Sequence, residues 1–202
     1  MGLNKDIVIA SNNEGKIREF KDLFKPLRVL SQKEVCSIEV EETGTTFIEN
    51  ALLKAKAVSE ETNALVIADD SGLVVPELNY EPGLRSSRYA FDGASDQDNK
   101  DKLKSKISDL GLSSLSAYFI CVLVAVRSNE DPLPIIAEGK TLGRVKLKSS
   151  GKNGFGYDDM FYPHDSKLSF ADMEAIEKLD YSHRGQALQE LIKKLRENGL
   201  LR

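Results

Sequence analysis

Cysteine is nearly absent: Cys36 and Cys121 are the only two in 202 residues, and they lie far apart. That excludes a disulfide framework and any closely spaced zinc site, and it leads us to expect a reducing, cytoplasmic setting. A basic excess is missing too. Lys and Arg number 28 against 32 Asp and Glu, for a net charge of -4. The balance gives no reason to expect a nucleic-acid partner. No apolar run is long enough to span a membrane, and the first residues lack the basic-then-apolar form of a secretory signal. Internal repeats and low-complexity segments are also lacking. What remains is 41% hydrophobic and 30% charged, an ordinary composition for a globular protein with a sizeable core. The length suits a single domain over 1–202, with room for two lobes.

The informative stretch is Val66-Ile67-Ala68-Asp69-Asp70-Ser71-Gly72. A short apolar run reads as a buried strand ending at two carboxylates, and Gly72 allows a sharp exit. Open α/β sheets hold ligands at such strand ends. A second acidic pair, Glu41-Glu42, precedes Thr43-Gly44. Magnesium favours carboxylate oxygens and keeps several waters, so a magnesium bridged to phosphate is one reading of these acids. A plain polar turn is the other.

Ile7-Val8-Ile9-Ala10 reads as a buried strand, followed by the turn Ser11-Asn12-Asn13-Glu14-Gly15-Lys16. Ile17, Phe20, Leu23 and Phe24 then recur at helical spacing until Pro26. A polar turn at a helix N-terminus offers backbone amides to an anion, and Lys16 adds a charge for phosphate. The glycine spacing is not that of a Walker loop. An ordinary capped helix start is equally consistent with this turn. Thr46 and Glu49 form a capping box, with Phe47, Ala51, Ala55 and Val58 on one face of the helix behind it. The first third therefore reads β-α-β-α-β, the pattern of an α/β sheet.

Further along, Arg85 to Tyr89 is a basic, polar patch that decides nothing alone. Asp92 to Asp98 reads as loop, and Leu103, Ile107 and Leu110 mark a helix closed by Gly111. Tyr118 to Val126 and Ile135 to Val145 read as two long strands joined through Ser128–Pro132. Phe155-Gly156-Tyr157-Asp158 lies in a glycine-rich segment. Its rings can stack on a planar base, and Asp158 can accept from ring nitrogens; two core aromatics in a turn is the competing reading. The last helix starts after Ser182 as cap, which puts His183 and Arg184 in the first turn, against the helix dipole. Such local rule-breaking points to a site.

Six blocks occur in order: Ser11–Lys16, Glu41-Glu42-Thr43-Gly44, Thr46–Ala51, Ala68–Leu73, Phe155–Asp158 and Ser182-His183-Arg184-Gly185. Together they resemble the inosine triphosphate pyrophosphatase family, over about Ile7 to Leu195. The resemblance implies hydrolysis of non-standard purine nucleotides (ITP, dITP, XTP) to monophosphate and pyrophosphate, with magnesium, and usually a homodimer. It implies an elongated, two-lobed α/β domain with a central mixed sheet flanked by helices and the active-site cleft between the lobes. It assigns Asp70 as catalytic acid and metal ligand, and Glu41 as a further metal carboxylate. Ser11, Asn12, Asn13, Glu14, Gly15 and Lys16 fall in the triphosphate turn, and Ser71 beside the substrate. Phe155, Gly156, Tyr157 and Asp158 fall in the base pocket. Lys178 matches a substrate-contacting lysine, and His183 with Arg184 the pair near the 6-oxo group. Asp159 stands where the family usually has proline.

Overall fold

The computed structural model describes residues 6–24, 28–62 and 64–201; the expected helix stop at Pro26, Asn63 and the first five residues lie outside them. Strand β1 (Ile7–Ala10) is fully buried and runs parallel to both β2 (Val29–Ser31) and β3 (Leu65–Val74), with Ile7 opposite Val29 on one side and Leu65 on the other. Parallel neighbours need crossover connections. Helix α1 (Glu14–Leu23) supplies the first, while α2 (Gln32–Val35) and α3 (Phe47–Glu61) precede β3. Beyond β3, the sheet continues with β4 (Ser114–Val126), β5 (Ile135–Lys146) and β6 (Phe161–Pro163). The strand order is β2-β1-β3-β4-β5-β6, and β6 runs antiparallel to β5. This is a mixed six-stranded sheet with flanking helices, an open α/β fold.

By contact density, the chain divides into two compact units, and β3, β4 and β5 each run through both. The first comprises the chain up to Asp70, Cys121–Glu138 and the segment from Ala187 on. The second comprises Ser71–Ile120 and Gly139–Gln186. Each has its own core. In the first, Ile7, Ile9, Phe20, Ile67 and Leu123 pack against Leu188, Leu191 and Leu195 of helix α6 (His183–Glu197). In the second, Leu103 and Ile107 of helix α4 (Asp96–Asp109) pack with Phe119, Tyr157, Met160, Phe161 and Phe170. Strand β4 reflects the division in its burial. Leu115, Ala117 and Phe119 alternate with more exposed residues, whereas Cys121 to Val126 are buried throughout. Alternation marks a strand covered on one face and continuous burial one covered on both.

Three expectations change. Strand β3 does not end at the acids but carries Asp69-Asp70-Ser71-Gly72 through to Val74. Asp and Gly are poor strand formers. The strand continues because partners elsewhere satisfy its polar groups; for example, the Leu73 amide donates to Ser86 Oγ at 2.9 Å. Helix α4 begins at Asp96, inside the stretch read as loop, because Ser95 caps it and Asp98 closes the capping box. A short helix, α5 (Ala175–Tyr181), precedes α6. Its Ile176 is 82% exposed, so apolar spacing gave it no signature.

Candidate active site

In the first unit, the polar groups gather around β3. Asn13 caps α1, its Oδ1 accepting the Lys16 amide at 3.0 Å, and Ser11 Oγ accepts the Asn13 amide at 3.2 Å. The turn is thus a capped helix start; Asn12, Asn13 and Glu14 are exposed and Gly15 is half-buried. The cap points the Lys16 side chain inward, where Nζ meets Asp69 Oδ2 at 2.6 Å. Asp69 is 1% exposed, and a carboxylate buried that deeply needs such a cation.

Asp70, also buried, accepts a hydrogen bond from Asn50 Nδ2 at 3.1 Å, and Lys54 Nζ stands 3.9 Å away. Burial pushes the Asp70 carboxyl up to about 6; Glu42 pushes the same way, while Lys54, Lys16 and Asn50 pull it back. Lys54 is bound more tightly to Glu42, at 2.6 Å. Burial alone works against its charge, yet Asp69, Asp70 and Glu42 together hold the ammonium above lysine's ordinary range. Asn50, in turn, accepts the Gly44 amide on Oδ1 at 2.8 Å. It therefore ties the Glu41–Gly44 loop to Asp70. A side chain at Gly44 would meet Glu49 Cβ at 2.6 Å and Asn50 Oδ1 at 2.7 Å, so glycine is required for this approach.

The structure separates the two adjacent glutamates. Glu42 joins the charged cluster through Lys54, while Glu41 is exposed and no side-chain contact brings it to Asp70. The sequence reading named Glu42 only as part of an acidic pair and Asn50 only as part of a block, gave neither a role, and missed Lys54. Asn50 and Lys54 stand one helical turn apart beside the apolar face of α3, and that i, i+4 polar pair was the available signal. Among the described residues, no three His, Cys, Asp or Glu side chains converge closely enough to hold a metal by themselves. Magnesium commonly takes one or two protein carboxylates, with water and substrate phosphate completing its shell. A buried carboxylate such as Asp70, whose charge is unfavourable without a cation, suits that mode.

In the second unit, the groups gather around residues 154–159. Asp158 is 5% exposed, and its Oδ2 accepts the Phe155 amide and the Lys178 ammonium, each at 2.8 Å. A Cβ at Gly154 would stand 2.1 Å from that oxygen, at a φ of +79° that glycine alone adopts easily. Asp158 thus closes the loop and neutralises Lys178. The Phe155 ring remains half-buried, with Lys178 Nζ 5.1 Å and Arg184 Cζ 5.8 Å from its centroid. Tyr157, by contrast, is committed to the core: it is 4% exposed, and its hydroxyl donates to Ser86 O at 2.9 Å. The expected pair of stacking rings therefore reduces to Phe155.

His183 and Arg184 open α6 as expected, and Ser182 Oγ accepts the Gly185 amide at 3.0 Å. A Cβ on Gly185 would run into Leu179 O at 1.8 Å, so glycine sets how closely α5 and α6 meet. The His183 ring stacks on Phe119, centroids 4.7 Å apart and planes at 9°. Arg184 is 3% exposed and donates to Ser71 Oγ at 3.1 Å. The structure therefore brings Phe155, Asp158, Lys178, Arg184 and Ser71 into one connected set within this unit, with His183 on the neighbouring aromatic wall.

The sequence profile of the Ham1 family matches residues 7–194. A dITP/XTP pyrophosphatase of Vibrio vulnificus (strain YJ016) is 45% identical over 199 residues, covering 98% of this chain and all of its own. One from Legionella pneumophila (strain Paris) is 45% identical, covering 93% of this chain and 96% of its own. Among solved structures, a HAM1 protein from Coxiella burnetii superposes with a TM-score of 0.88 at 39% identity, covering 96% of this chain and 99% of its own. Fold and full-length similarity agree, and the chain belongs to the Ham1 family.

Proposed function

We propose that this chain hydrolyses non-standard purine nucleoside triphosphates, ITP, dITP and XTP, to the monophosphate and pyrophosphate. The observation that carries the reading is the cluster around Asp70, a buried carboxylate set among Lys16, Lys54 and Asn50, in a chain whose full-length relatives are dITP/XTP pyrophosphatases. Roles divide by unit. The first unit's charged groups serve the triphosphate, and the second unit's Phe155, Lys178, His183 and Arg184 serve the base. Asn12, Asn13 and the α1 amides lie at the positive end of a ten-residue helix, where phosphate oxygens are favoured.

Asp70 is the metal carboxylate in this reading, with Glu41 as the second. Bound magnesium would polarise the phosphate oxygens and offset developing charge. The chain's own residues do the rest. Lys16 and Lys54 place two positive charges where the pyrophosphate leaves. Asp69, held by Lys16, keeps that lysine fixed. Asp70, or Asp69 beside it, orients the attacking water and accepts its proton. Base choice rests on Arg184 and His183 as donors to the 6-oxo atom, since a 6-amino group there would set donor against donor.

The homodimer belongs to the same proposal and rests on the family resemblance alone. The cytoplasmic setting is supported by the scarcity of cysteine, two in 202 residues. The substrate is a small molecule, consistent with a net charge of -4 that gives nucleic acid no broad basic face. No helix among the described residues is long and apolar enough to cross a membrane. Turnover of ITP in heavy-oxygen water, followed by phosphorus NMR, tests the reaction. Label in the monophosphate supports attack at the α-phosphorus; label in the pyrophosphate or in free phosphate contradicts it.

A further inference from the structure

Helix α4 is a polar helix whose first two turns face the base loop. Its inward side follows helical spacing: Asp96, Asn99, Lys100, Leu103 and Ile107. Leu103 and Ile107 are fully buried in the second core, which fixes the helix axis. The three polar members each reach another segment. Asp96 Oδ2 accepts the Gly156 amide at 2.7 Å. Lys100 Nζ pairs with Asp159 Oδ2 at 2.9 Å, with both side chains mostly shielded. Asn99 donates to Ser87 O at 3.0 Å and accepts the Ala90 amide at 2.8 Å.

None of this is needed to build the helix. Ser95 is the cap, and its reciprocal partner is Asp98, so Asp96 is free to bind elsewhere. Lys100 lies in the helix interior, beyond the turn that needs capping. The two contacts fall on either side of Tyr157 and Asp158, at Gly156 and Asp159. Between those anchor points, Tyr157 is held by the core and Asp158 closes on Phe155 and Lys178. The part of the loop left to face a ligand is Phe155. Phe155 directly precedes the anchored Gly156 amide.

We infer that Asp96 and Lys100 are positioning residues that set the Phe155 loop and thereby the affinity for the nucleobase; this rests on the base-site reading of residues 155–158. Neither side chain touches the nucleotide. Their effect passes through the Gly156 amide and Asp159. Neutralising one partner of a shielded ion pair leaves the other charge uncompensated, so the pairing is lost at a larger cost than at an exposed site. A hydrogen bond to a charged acceptor is likewise among the stronger kinds.

The test compares Lys100→Met, Asp159→Asn and Asp96→Ala with a charge exchange, Lys100→Asp combined with Asp159→Lys. ITP turnover gives kcat and KM, inhibition by inorganic tripolyphosphate gives a base-free affinity, and thermal melting reports the fold. The expected result is a KM for ITP raised about tenfold in each neutralised variant, with kcat within about twofold and tripolyphosphate inhibition unchanged. The charge exchange should bring KM back to within about threefold of the parent. Unchanged KM in folded variants overturns the inference, as does an equal weakening toward tripolyphosphate or a charge exchange that rescues nothing. If the parent itself holds ITP no better than tripolyphosphate, the base-site reading beneath the inference fails, and the inference with it.

Discussion

The two units solve opposite problems with similar materials. In the first, charged side chains stand on regular elements. Asp69 and Asp70 are inside β3, Lys16 is in the first turn of α1, and Asn50 with Lys54 lies on α3. Opposite charges meet directly, as in Lys16 with Asp69 at 2.6 Å and Lys54 with Glu42 at 2.6 Å. In the second, the groups stand on an irregular loop, in the last turn of α5, at the start of α6 and at Ser71 of β3, and aromatic rings line them: Phe119 and Phe170 beside His183, and Phe155 beside Lys178 and Arg184. That difference supports the proposed division of chemical labour. A charge cluster on rigid strands and helices suits a reacting phosphate, whose charge is common to every nucleotide. An aromatic and donor-lined loop suits a planar base, by which nucleotides differ.

That comparison can be broken by substitution. The largest effect is expected from Asp70→Asn: turnover of every nucleotide should fall by about a thousandfold, the middle of what a positioned acid or base contributes. Steady-state rates on ITP and XTP, with melting to confirm the fold, check it. A near-normal rate on any substrate would remove Asp70 from the chemistry. Next comes Arg184→Ala, where the ratio of kcat/KM for ITP over ATP should drop by about tenfold or more, because the donor that distinguishes 6-oxo from 6-amino is gone. An unchanged ratio would move base reading away from α6. A smaller loss, about tenfold in kcat and equal for all bases, is expected from Asn50→Ala, which unties Asp70 from the Gly44 loop. If that loss depended on the base, the division between units would be wrong.

A separate effect, on stability and not on turnover, concerns pH. Burial raises Asp70 from the ordinary 3.8 to about 6, with Glu42 adding and Lys54, Lys16 and Asn50 opposing. The folded state then holds more protons than the unfolded one between about pH 4 and about pH 6, so Asp70's contribution to stability falls as pH rises through that window. Metal-free Asp70→Asn should therefore be the more stable protein at about pH 8, by about 3 kcal/mol, with the gap closing toward about pH 4. Denaturant melts at both pH values measure it; a variant less stable at both would mean that the charge cluster favours the ionised acid after all.

Much of the fold was legible because local signals agreed with the final packing. The apolar Ile7–Ala10 run, the capped turn into α1, the Thr46–Glu49 box and the β4–β5 pair all stand as their residues imply. Strand β3 was cut short because Asp and Gly argue locally against a strand. The opposing reasons sit far away, in Lys16, Asn50 and Ser86. Lys16 and Asp70 in the first unit, and Asp158, Lys178 and Arg184 in the second, were legible as chemistry, while the pairings Lys16–Asp69, Lys178–Asp158 and Arg184–Ser71 were not. Asp96 lies 60 positions from the Gly156 amide it accepts, and no local pattern announces such a contact. Tyr157 read as a base-facing ring because sequence spacing does not say which of two neighbouring aromatics enters the core.

The central claim is that this chain hydrolyses triphosphates of non-standard purines and leaves the ordinary ones alone. Pyrophosphate release from ITP, XTP, dITP, ATP, GTP and dUTP, with and without magnesium, tests it most directly. The account predicts magnesium-dependent release from ITP, dITP and XTP, with ATP, GTP and dUTP nearly untouched. Equal release from ATP and GTP, or none from the inosine and xanthine nucleotides, would contradict it.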